Sequence, residues 1–331
     1  MHSPYSLLRL AGLLLVAIVL RAGTARAQQL PAPRDTSFTV YSAWRYAQQT
    51  YPNARIARPP LPATVQATYN LTYCTLGPRN LQLDIFYPKG QRKTTYPAVL
   101  FIHGGGWRSG DRSQHVPLAQ QLAARGYVTA TVEYRLSTEA RYPAAVTDLK
   151  AAVRWLRANA GTYPIDTTKI AVWGFSAGGQ LAALVGTTNG DAQLEGHVGN
   201  LQHASSVQAI VDVDGVLAFI HPESREGDDS KSPSAGTQWF GASVAQQPAL
   251  WQQASALNHV TAHTPPIAFL NSSVAHMHAG RDDMTKKLDA FHIYHEVHTL
   301  PDTPHTFPLL APWFAPTLDF TAAFLDKIFK P

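Results

Sequence analysis

The stretch Ile170-Ala-Val-Trp-Gly-Phe-Ser-Ala-Gly-Gly179 decides the fold. Its first four residues are apolar and partly β-branched, as in a buried strand, and the small residues after Ser176 favour the start of a helix. A chain that turns so abruptly from strand to helix needs small residues on both sides of the turn, and Gly174 and Gly178 supply them. Such a turn exposes the Ser176 hydroxyl above the sheet, so the G-x-S-x-G spacing predicts a nucleophile at Ser176.

A glycine-rich phosphate loop or an ordinary tight turn is the alternative interpretation of these residues. The motif is short enough to occur by chance in about one chain in ten of this length. However, the sequence contains no G-x-x-x-x-G-K-[ST] segment, and no paired-glycine fingerprint opens its first strand-helix unit. The prediction for Ser176 therefore depends on the rest of the sequence.

That sequence alternates short strands with helices. Two strand-like runs, residues 66–75 and 81–87, are separated by the turn signal Gly77-Pro-Arg-Asn80, which predicts an antiparallel hairpin. Apolar residues at helical spacing over residues 145–156 predict a helix. Further short apolar runs cover residues 98–102, 127–133, 170–173, 209–213, 267–270 and 293–300. The alternation predicts an α/β protein with a mostly parallel central sheet and helices on both faces.

Residues 215–256 interrupt this alternation. They place about forty residues rich in Gly, Pro, Ser and charges between two strands, which predicts a lid or substrate loop. No low-complexity tract or linker forces a second domain. We therefore predict one catalytic domain over residues 64–331, preceded by an N-terminal arm over residues 28–63.

Residues 1–27 resemble a cleavable signal peptide. Arg9 precedes an apolar run over residues 10–20, and Ala25-Arg-Ala27 follows it, so we expect cleavage after Ala27 and a secreted or periplasmic protein. The run is about eleven residues long and a membrane-spanning helix needs roughly twenty, so an uncleaved anchor is the weaker alternative. We expect no membrane span in the mature form.

Charge and cysteine content narrow the class of protein further. Residues 1–27 contain three arginines and no acidic residue, so cleavage lowers the formal net charge from +5 to +2. The basic pI of about 9.3 therefore does not indicate a nucleic-acid partner. Cys74 is the only cysteine, so an intramolecular disulfide is excluded.

A second glycine-rich motif, His103-Gly-Gly-Gly-Trp107, ends another predicted strand. When a serine attacks a carbonyl group, negative charge develops on the oxygen, and main-chain N–H groups aimed at that oxygen stabilise it. Glycines let the main chain approach closely, so we predict an oxyanion hole formed by the amides of Gly105, Gly106 and Ala177. By itself the glycine triplet could be a flexible turn, but two such motifs on strand ends favour the catalytic interpretation.

A serine hydroxyl is a weak nucleophile and needs a general base. His305 lies in the segment Pro301-Asp-Thr-Pro-His, after the last predicted strand and before a closing helix predicted over residues 317–329. A loop at this position reaches back over the nucleophile. We therefore predict His305 as the base.

The carboxylate that orients His305 is expected after the strand at residues 267–270, because the chain order is Ser, Asp, His. Asp282 and Asp283 both lie there. We predict Asp282 as the acid and Asp283 as the alternative, with the other of the pair capping the following helix. Asp214, at the end of the preceding strand, is a third candidate, since a carboxylate there can also reach the histidine.

His276-Met-His278, together with His298, invites a metal-site interpretation. Nothing in the sequence supplies a fourth ligand or a coordination geometry, and a serine mechanism needs no metal. We therefore predict neither a metal nor a cofactor.

From about residue 81 to residue 330 the chain resembles α/β-hydrolase esterases with a His-Gly-Gly-Gly oxyanion motif, a group that includes hormone-sensitive-lipase-like and feruloyl-esterase-like enzymes. Tyr134-Arg-Leu136, Tyr142-Pro-Ala-Ala145 and Asp148 are similar to that family's segment after the fourth strand. The resemblance implies the α/β-hydrolase fold, with a small lid insertion and structural roles for Arg135 and Asp148.

Three segments look like a narrower group, the secreted bacterial carbohydrate or pectin esterases. They are Asn271-Ser-Ser, His278-Ala-Gly-Arg-Asp-Asp-Met284 and the His305 loop. This resemblance implies a serine esterase that removes acetyl, feruloyl or methyl groups from plant polysaccharide. The acid loop departs from the wider family's pattern of glycine, two residues and aspartate, because it is longer here and carries two histidines.

Side chains around the predicted site could bind a sugar. Trp107, Trp239 and Phe240 could stack on sugar or aromatic faces, and Arg281 or His276 could attract a uronate carboxylate. Ordinary packing of these aromatic residues in the core and lid is the alternative.

Other activities remain as alternatives to an esterase acting on a small-molecule or polysaccharide ester. An aminopeptidase-like or lipase-like hydrolase uses the same triad on the same fold, although the polar lid disfavours a lipase. A non-catalytic binding protein would be expected to lack the serine, the histidine or the glycine loop, and all three are present.

Overall fold

A computed structural model describes residues 35–90 and 95–330 of the chain. The predicted signal peptide, residues 1–27, lies outside the described residues, as do the first residues of the predicted arm. Among the helices that the structure describes, none combines the length and the apolar character needed to cross a bilayer.

The strands in the described residues are β1 (Arg55–Ile56), β2 (Val65–Leu76), β3 (Arg79–Pro88), β4 (Tyr96–Ile102), β5 (Val128–Val132), β6 (Ile165–Phe175), β7 (Ala209–Val213), β8 (Ile267–Asn271), β9 (His295–Thr299) and β10 (Leu310–Ala311). Eight of them form the central sheet, in the order β2-β3-β5-β4-β6-β7-β8-β9, and a separate ribbon pairs β1 with β10. The pairs β2–β3 and β3–β5 are antiparallel, and all other neighbours in the sheet are parallel. The predicted hairpin and mostly parallel sheet are confirmed.

Helices cover both faces of the sheet because the central strands are apolar on both sides. On β8, Ile267 and Phe269 enter one core while Ala268 and Leu270 enter the other. The first core is shared with α3, α4 and α7, and the second with α1, α2 and α8. The helices are α1 (Val40–Ala47), α2 (Val116–Ala123), α3 (Ala144–Ala158), α4 (Ala177–Thr187), α5 (Ala235–Phe240), α6 (Pro248–Gln253), α7 (Arg281–Ala290) and α8 (Phe314–Phe329).

Two element boundaries differ by three or more residues from the sequence prediction, and the others agree within two residues. Strand β6 begins at Ile165, five residues before the predicted start, because polar residues at its beginning carry no apolar signal. Helix α8 begins at Phe314 rather than at residue 317. Pro316 lies in its first turn, where a missing N–H removes no intrahelical hydrogen bond.

The described part of the N-terminal arm packs on the second core. Ala43 and Ala47 of α1 are buried there. Strand β1 pairs with β10 just before α8, with Arg55 opposite Ala311. The arm thus reaches the chain segment that follows the His305 loop.

The predicted lid over residues 215–256, the lid segment, contains α5 and α6 and buries an aromatic cluster. Trp239 and Trp251 are fully buried, and the Phe240 and Trp251 ring centroids are 4.3 Å apart. Phe219 packs edge-on against Phe240 and Trp251. The polar composition of the segment therefore describes only its outer surface.

Arg135 and Asp148 form an ion pair with a buried carboxylate and a partly exposed guanidinium, away from the residues that line the candidate site. The Asp148 carboxylate is fully buried, lies 2.7 Å from Arg135 Nη2 and also accepts the Arg135 main-chain amide at 3.0 Å. Burial raises the pKa of Asp148, and its hydrogen bonds and ion pair with Arg135 lower it. The pair joins the start of the segment after β5 to helix α3.

We expect Asp148→Ala to lower the free energy of unfolding by about 1.5–3 kcal/mol, because it removes the buried carboxylate to which the Arg135 guanidinium and amide donate. Asp319→Asn is the control: it breaks an exposed pair with Arg125, and we expect a change below about 1 kcal/mol. Urea unfolding of both variants measures the difference. Equal, small effects would contradict a structural role for the pair of Arg135 and Asp148.

Candidate active site

The strand-to-helix turn at Ser176 leaves no room for larger residues on either side. A Cβ atom on Gly174 would lie 1.9 Å from the carbonyl oxygen of Gly178, and one on Gly178 would lie 2.2 Å from that of Ile102. Ser176 itself has φ 58° and ψ −123°, outside the usual regions for an L-residue. The Ser176 amide donates to Val213 O at 2.8 Å, which ties the strained turn to β7.

His305 lies within hydrogen-bond distance of this serine. Its Nε2 atom is 2.9 Å from Ser176 Oγ. The Thr303 amide donates to Ser273 Oγ at 3.2 Å, which holds the His305 loop to the chain after β8. The Thr303 hydroxyl donates to Leu300 O at 2.9 Å within the loop itself. The Phe175 ring packs against the imidazole with the centroids 4.9 Å apart.

Asp214, rather than Asp282 or Asp283, is the carboxylate bonded to His305, and the prediction for the acid is corrected accordingly. Asp214 Oδ2 lies 3.0 Å from His305 Nδ1. Its other oxygen, Oδ1, accepts the amide of Ser272 at 2.8 Å. The Asp214 side chain is fully buried, so both of its oxygens are held by fixed donors.

The two predicted acids lie instead in the first turn of α7. Asp282 is bonded to Arg281 and its side chain is 67% exposed. Asp283 contacts Lys286 and His221. Its hydrogen bonds with these two residues lower its pKa, the bond with Lys286 more strongly. Neither aspartate caps the helix, because Gly280 occupies the cap position; their charges are favourable there because they lie near the positive end of the helix dipole.

The reason for this difference lies in strand order. Strand β7 is the direct neighbour of β6, so its last residues lie beside Ser176. The end of β8 carries Asn271 and Ser272, which have no carboxylate, and the chain then continues through a short 3-10 turn into α7. Asp214 was the third candidate in the sequence; its position directly after a strand at this sheet edge was the signal for it.

These contacts assign the proton positions around the imidazole. A carboxylate can only accept, so Nδ1 of His305 carries the hydrogen that Asp214 receives. Nε2 is then left with a lone pair, which accepts the Ser176 hydroxyl proton. The arrangement can therefore remove a proton from Ser176 while Asp214 stabilises the imidazolium that forms.

The loop with the three glycines passes directly over the nucleophile. A Cβ atom on Gly104 would lie 3.1 Å from Ser176 Cβ. Gly105 and Gly106 have φ values of 128° and 58°, and both glycines line the same cavity as Ser176, Ala177 and His305. Among the described residues, no hydrogen-bond acceptor is found for the amides of Gly105, Gly106 or Ala177.

The shape of this glycine loop is held by neighbouring side chains. Gln114 accepts the Gly104 amide and donates to the Gly104 carbonyl, both at 3.2 Å. The Ser109 hydroxyl and amide donate to Gly105 O at 2.9 and 3.0 Å. These bonds fix the carbonyl groups of Gly104 and Gly105, while the amides of Gly105 and Gly106 have no acceptor among the described residues.

Arg108 connects this loop to the arm and to the lid segment. Its Nε atom lies 2.6 Å from Asp35 Oδ2 in the arm, and its Nη1 atom lies 2.7 Å from Gln238 Oε1 in α5. Ser37 and Phe38, close to Asp35, line the cavity. The arm is thus part of the wall of the candidate site, a contact that the sequence did not indicate.

The cavity above Ser176 has a volume of about 380 Å³. Besides Ser176, His305, Asp214 and the glycine loop, its wall consists of Phe38, Trp107, Val216, Glu226, Ala235 and Met277, among others. Glu226 was not predicted, because a single acid in a polar segment carries no sequence signal. The space is large enough for an acyl group and part of an alcohol.

Of the two tryptophans predicted to bind substrate, Trp107 lines the cavity and Trp239 does not. Trp107 lines the cavity but is only 3% exposed, because its ring stacks on Trp239 at 4.9 Å and its Nε1 donates to Gln180 at 2.9 Å. Trp239 is fully buried in the aromatic cluster, so the prediction that it binds substrate is wrong. Phe240 is also buried there.

Arg281 does not line the cavity either. Its guanidinium is bonded to Asp282 at 2.7 Å and to Asn271 at 2.9 Å. The prediction that Arg281 binds substrate is therefore wrong, since its charge is paired with Asp282 at the start of α7.

The three histidines that suggested a metal site, His276, His278 and His298, do not form one cluster. His298 lies on β9, bonds to Glu296 at 3.0 Å and stacks on Phe320. His276 and His278 lie in the turn before α7, and burial is the main cause that lowers the pKa of each. Within residues 35–90 and 95–330, no group of three His, Cys, Asp or Glu residues could hold a metal ion.

Comparison with protein families and curated proteins identifies similar sequences. The model of the BD-FAE family matches residues 83–277. Two proteins of Mycobacterium tuberculosis are each 30% identical: Esterase LipC, over 58% of this chain and 47% of its own length, and Probable carboxylic ester hydrolase LipM, over 73% and 56%. The chain thus spans about half the length of these relatives.

Solved structures show the same fold. A truncated carbohydrate esterase from gut microbiota is 26% identical, with a TM-score of 0.65 over 78% of this chain and 96% of its own. Esterase 2 of Thermogutta terrifontis is 22% identical, with a TM-score of 0.65 over 83% of this chain and 96% of its own, and at that identity the likeness concerns the fold alone. The predicted α/β-hydrolase fold is confirmed.

We expect Asp214→Asn to lower kcat for p-nitrophenyl acetate by about 10³–10⁴-fold, because an amide in place of the carboxylate no longer enforces the Nδ1–H tautomer of His305. Asp282→Asn, on the exposed side of α7, should stay within about twofold of wild type. Steady-state kinetics of both variants measure the difference. A large loss in Asp282→Asn with normal activity in Asp214→Asn would restore the original prediction.

We also expect Arg108→Ala to lower kcat for the same ester by about tenfold, because the glycine loop loses its connections to the arm and to α5 and positions its amides less well. Arg125→Ala, which removes an exposed arginine far from the cavity, is the matched control. Unchanged kcat in Arg108→Ala, measured on folded protein, would show that the loop keeps its shape without this clamp.

Proposed function

Because the chain belongs to the BD-FAE family of α/β-hydrolases, we propose that it is a secreted carboxylic ester hydrolase that removes acyl or methyl groups from plant carbohydrate. The observation that carries the proposal is the continuous hydrogen-bonded series from Ser176 through His305 to Asp214 beside the glycine loop. The carbohydrate esterase among the structural neighbours supports the substrate class. The pattern of residues 1–27 supports secretion.

The reaction begins at the Ser176 hydroxyl. As Oγ attacks the ester carbonyl carbon, its proton moves to His305 Nε2, and the imidazolium formed is stabilised by Asp214. The carbonyl oxygen becomes an oxyanion, and the amides of Gly105, Gly106 and Ala177 donate to it. Ala177 is the first residue of α4, so the helix dipole adds to this stabilisation.

Collapse of the tetrahedral intermediate completes the first half of the reaction. The bond to the alcohol oxygen breaks, and the His305 Nε2 proton passes to that oxygen, so the alcohol leaves and the acyl group stays on Ser176. A water molecule then attacks the acyl-enzyme while His305 takes one of its protons. The acid is released, and the proton returns to Ser176.

We expect Ser176→Ala to lower hydrolysis of p-nitrophenyl acetate and of acetylated xylan by on the order of 10⁴-fold or more, because no acyl-enzyme can form. Ser232→Ala, a serine on the exposed surface of the lid segment, is the matched control and should keep wild-type activity. Release of p-nitrophenol and of acetate is measured with purified protein.

Further substrates separate the alternatives. Methanol release from methyl-esterified pectin would favour a methyl esterase, and cleavage of a peptide p-nitroanilide in preference to every ester would favour the aminopeptidase-like alternative. Failure of a serine-reactive fluorophosphonate to label the folded wild-type protein would contradict the serine mechanism altogether and favour a binding protein.

A further inference from the structure

Glu226 brings an unused carboxyl group to the cavity above Ser176. It lines the same cavity as Ser176 and His305 and is partly buried. Its segment is packed on α5, where a Cβ atom added to Gly236 would lie 2.8 Å from the Glu226 carbonyl oxygen. Within the described residues, its carboxyl oxygens have neither an ion pair nor a hydrogen bond.

The other charged residues of the cavity wall already have partners. Arg108 is bonded to Asp35 and Gln238, and Asp214 is bonded to His305 and the Ser272 amide. Burial raises the pKa of Glu226, while the charge of His305 lowers it. A carboxyl group that has lost part of its water without gaining a protein partner is stabilised by any substrate group that donates a hydrogen bond to it.

We propose that Glu226 accepts hydrogen bonds from free hydroxyl groups of the substrate's alcohol part, so that the preferred substrates are esters of uncharged, polyhydroxylated alcohols. This inference rests on the proposed esterase function and specifies its substrate class. Glu226 acts in recognition, whereas the chemical step belongs to Ser176 and His305.

An anionic substrate, such as a uronate, is disfavoured by the same arrangement. Its carboxylate would approach Glu226, and like charges at short distance repel. Arg281, the arginine predicted to attract a uronate, is bonded to Asp282 and Asn271 outside the cavity. Arg225 is exposed and adjacent in sequence, but it does not line the cavity wall.

A cationic substrate is also less well matched than a hydroxylated one. Proteins that bind ammonium groups commonly combine carboxylates with exposed aromatic faces. Here Trp107 is 3% exposed and Trp239 is fully buried, with their rings stacked on each other, so among the described residues Phe38 alone offers the cavity a partly exposed aromatic ring. One ring beside a single carboxyl group is a weak match for an ammonium group, so the site around Glu226 favours hydroxyl groups.

The test compares three neutral acetyl esters: a monoacetylated methyl xyloside with its other hydroxyls free, the same xyloside with those hydroxyls methylated, and p-nitrophenyl acetate. We expect Glu226→Ala to lower kcat/KM for the hydroxylated xyloside by about tenfold to a hundredfold, as the loss of a hydrogen bond to a charged group implies. The other two esters should change by less than about twofold. Glu226→Gln, which keeps an acceptor of the same size, should fall between wild type and Glu226→Ala on the hydroxylated xyloside.

Asp319→Asn is the charge-matched control, since it removes one negative charge on the exposed surface of α8. Two charged substrates complete the design. On an acetylated methyl glucuronate, Glu226→Gln should raise kcat/KM severalfold relative to wild type, because repulsion is removed. On an acetylated methyl glucosaminide, the loss in Glu226→Gln should not exceed that on the xyloside.

Several outcomes would overturn the inference. Equal losses on all three neutral esters would show that Glu226 supports the triad instead of recognising hydroxyls, and a larger loss on the glucosaminide would assign it to a cation. If the wild type cleaves the xyloside through Ser176 and Glu226→Ala does so with the same kcat/KM, only the inference about Glu226 is contradicted. If wild type cleaves p-nitrophenyl acetate but neither xyloside nor acetylated xylan, the carbohydrate proposal fails with it.

Discussion

The close approach of main chain to main chain around Ser176 is the constraint on which the site depends. Helix α4 begins so near to β4 that Gly178 has no space for a side chain, and the loop after β4 comes equally near to Ser176 at Gly104. Because Gly104 and Gly178 permit this approach, the nucleophile and the glycine loop are parts of one packed unit. Moving either the Ser176 turn or the glycine loop would separate main-chain segments that are packed directly against each other.

The carboxyl ends of neighbouring parallel strands bring the other groups to this point. Asp214 follows β7 and His305 follows β9, and their loops are joined through Ser272 and Ser273 after β8. A second acid, Asp212, is fully buried on β7. Its burial, and to a smaller extent the neighbouring charge of Asp214, raise its pKa well above the ordinary value. Two adjacent carboxyl groups in a low-dielectric environment disfavour a double charge, which favours the neutral form of Asp212.

The arm and the lid segment complete the cavity from outside the sheet. Arg108, two residues after Gly106, is bonded to both of them and thereby also orders the wall of the cavity. The aromatic cluster of the lid is buried and supports this wall from behind. The face that remains towards the ligand is mostly apolar and carries one unpaired carboxyl group, at Glu226, among the described residues.

The sequence by itself determined the fold class, the hairpin, the parallel strands and the pairing of Ser176 with His305, because these depend on local patterns. Glycine spacing, apolar periodicity and position at a strand end are all visible along the chain. The tertiary structure alone decided that Asp214 rather than Asp282 meets His305, that Trp239 is buried, and that Asp35 and Glu226 approach the site. These outcomes depend on which strands are neighbours and which loops fold back, and such distances between residues far apart in the chain have no counterpart in local spacing.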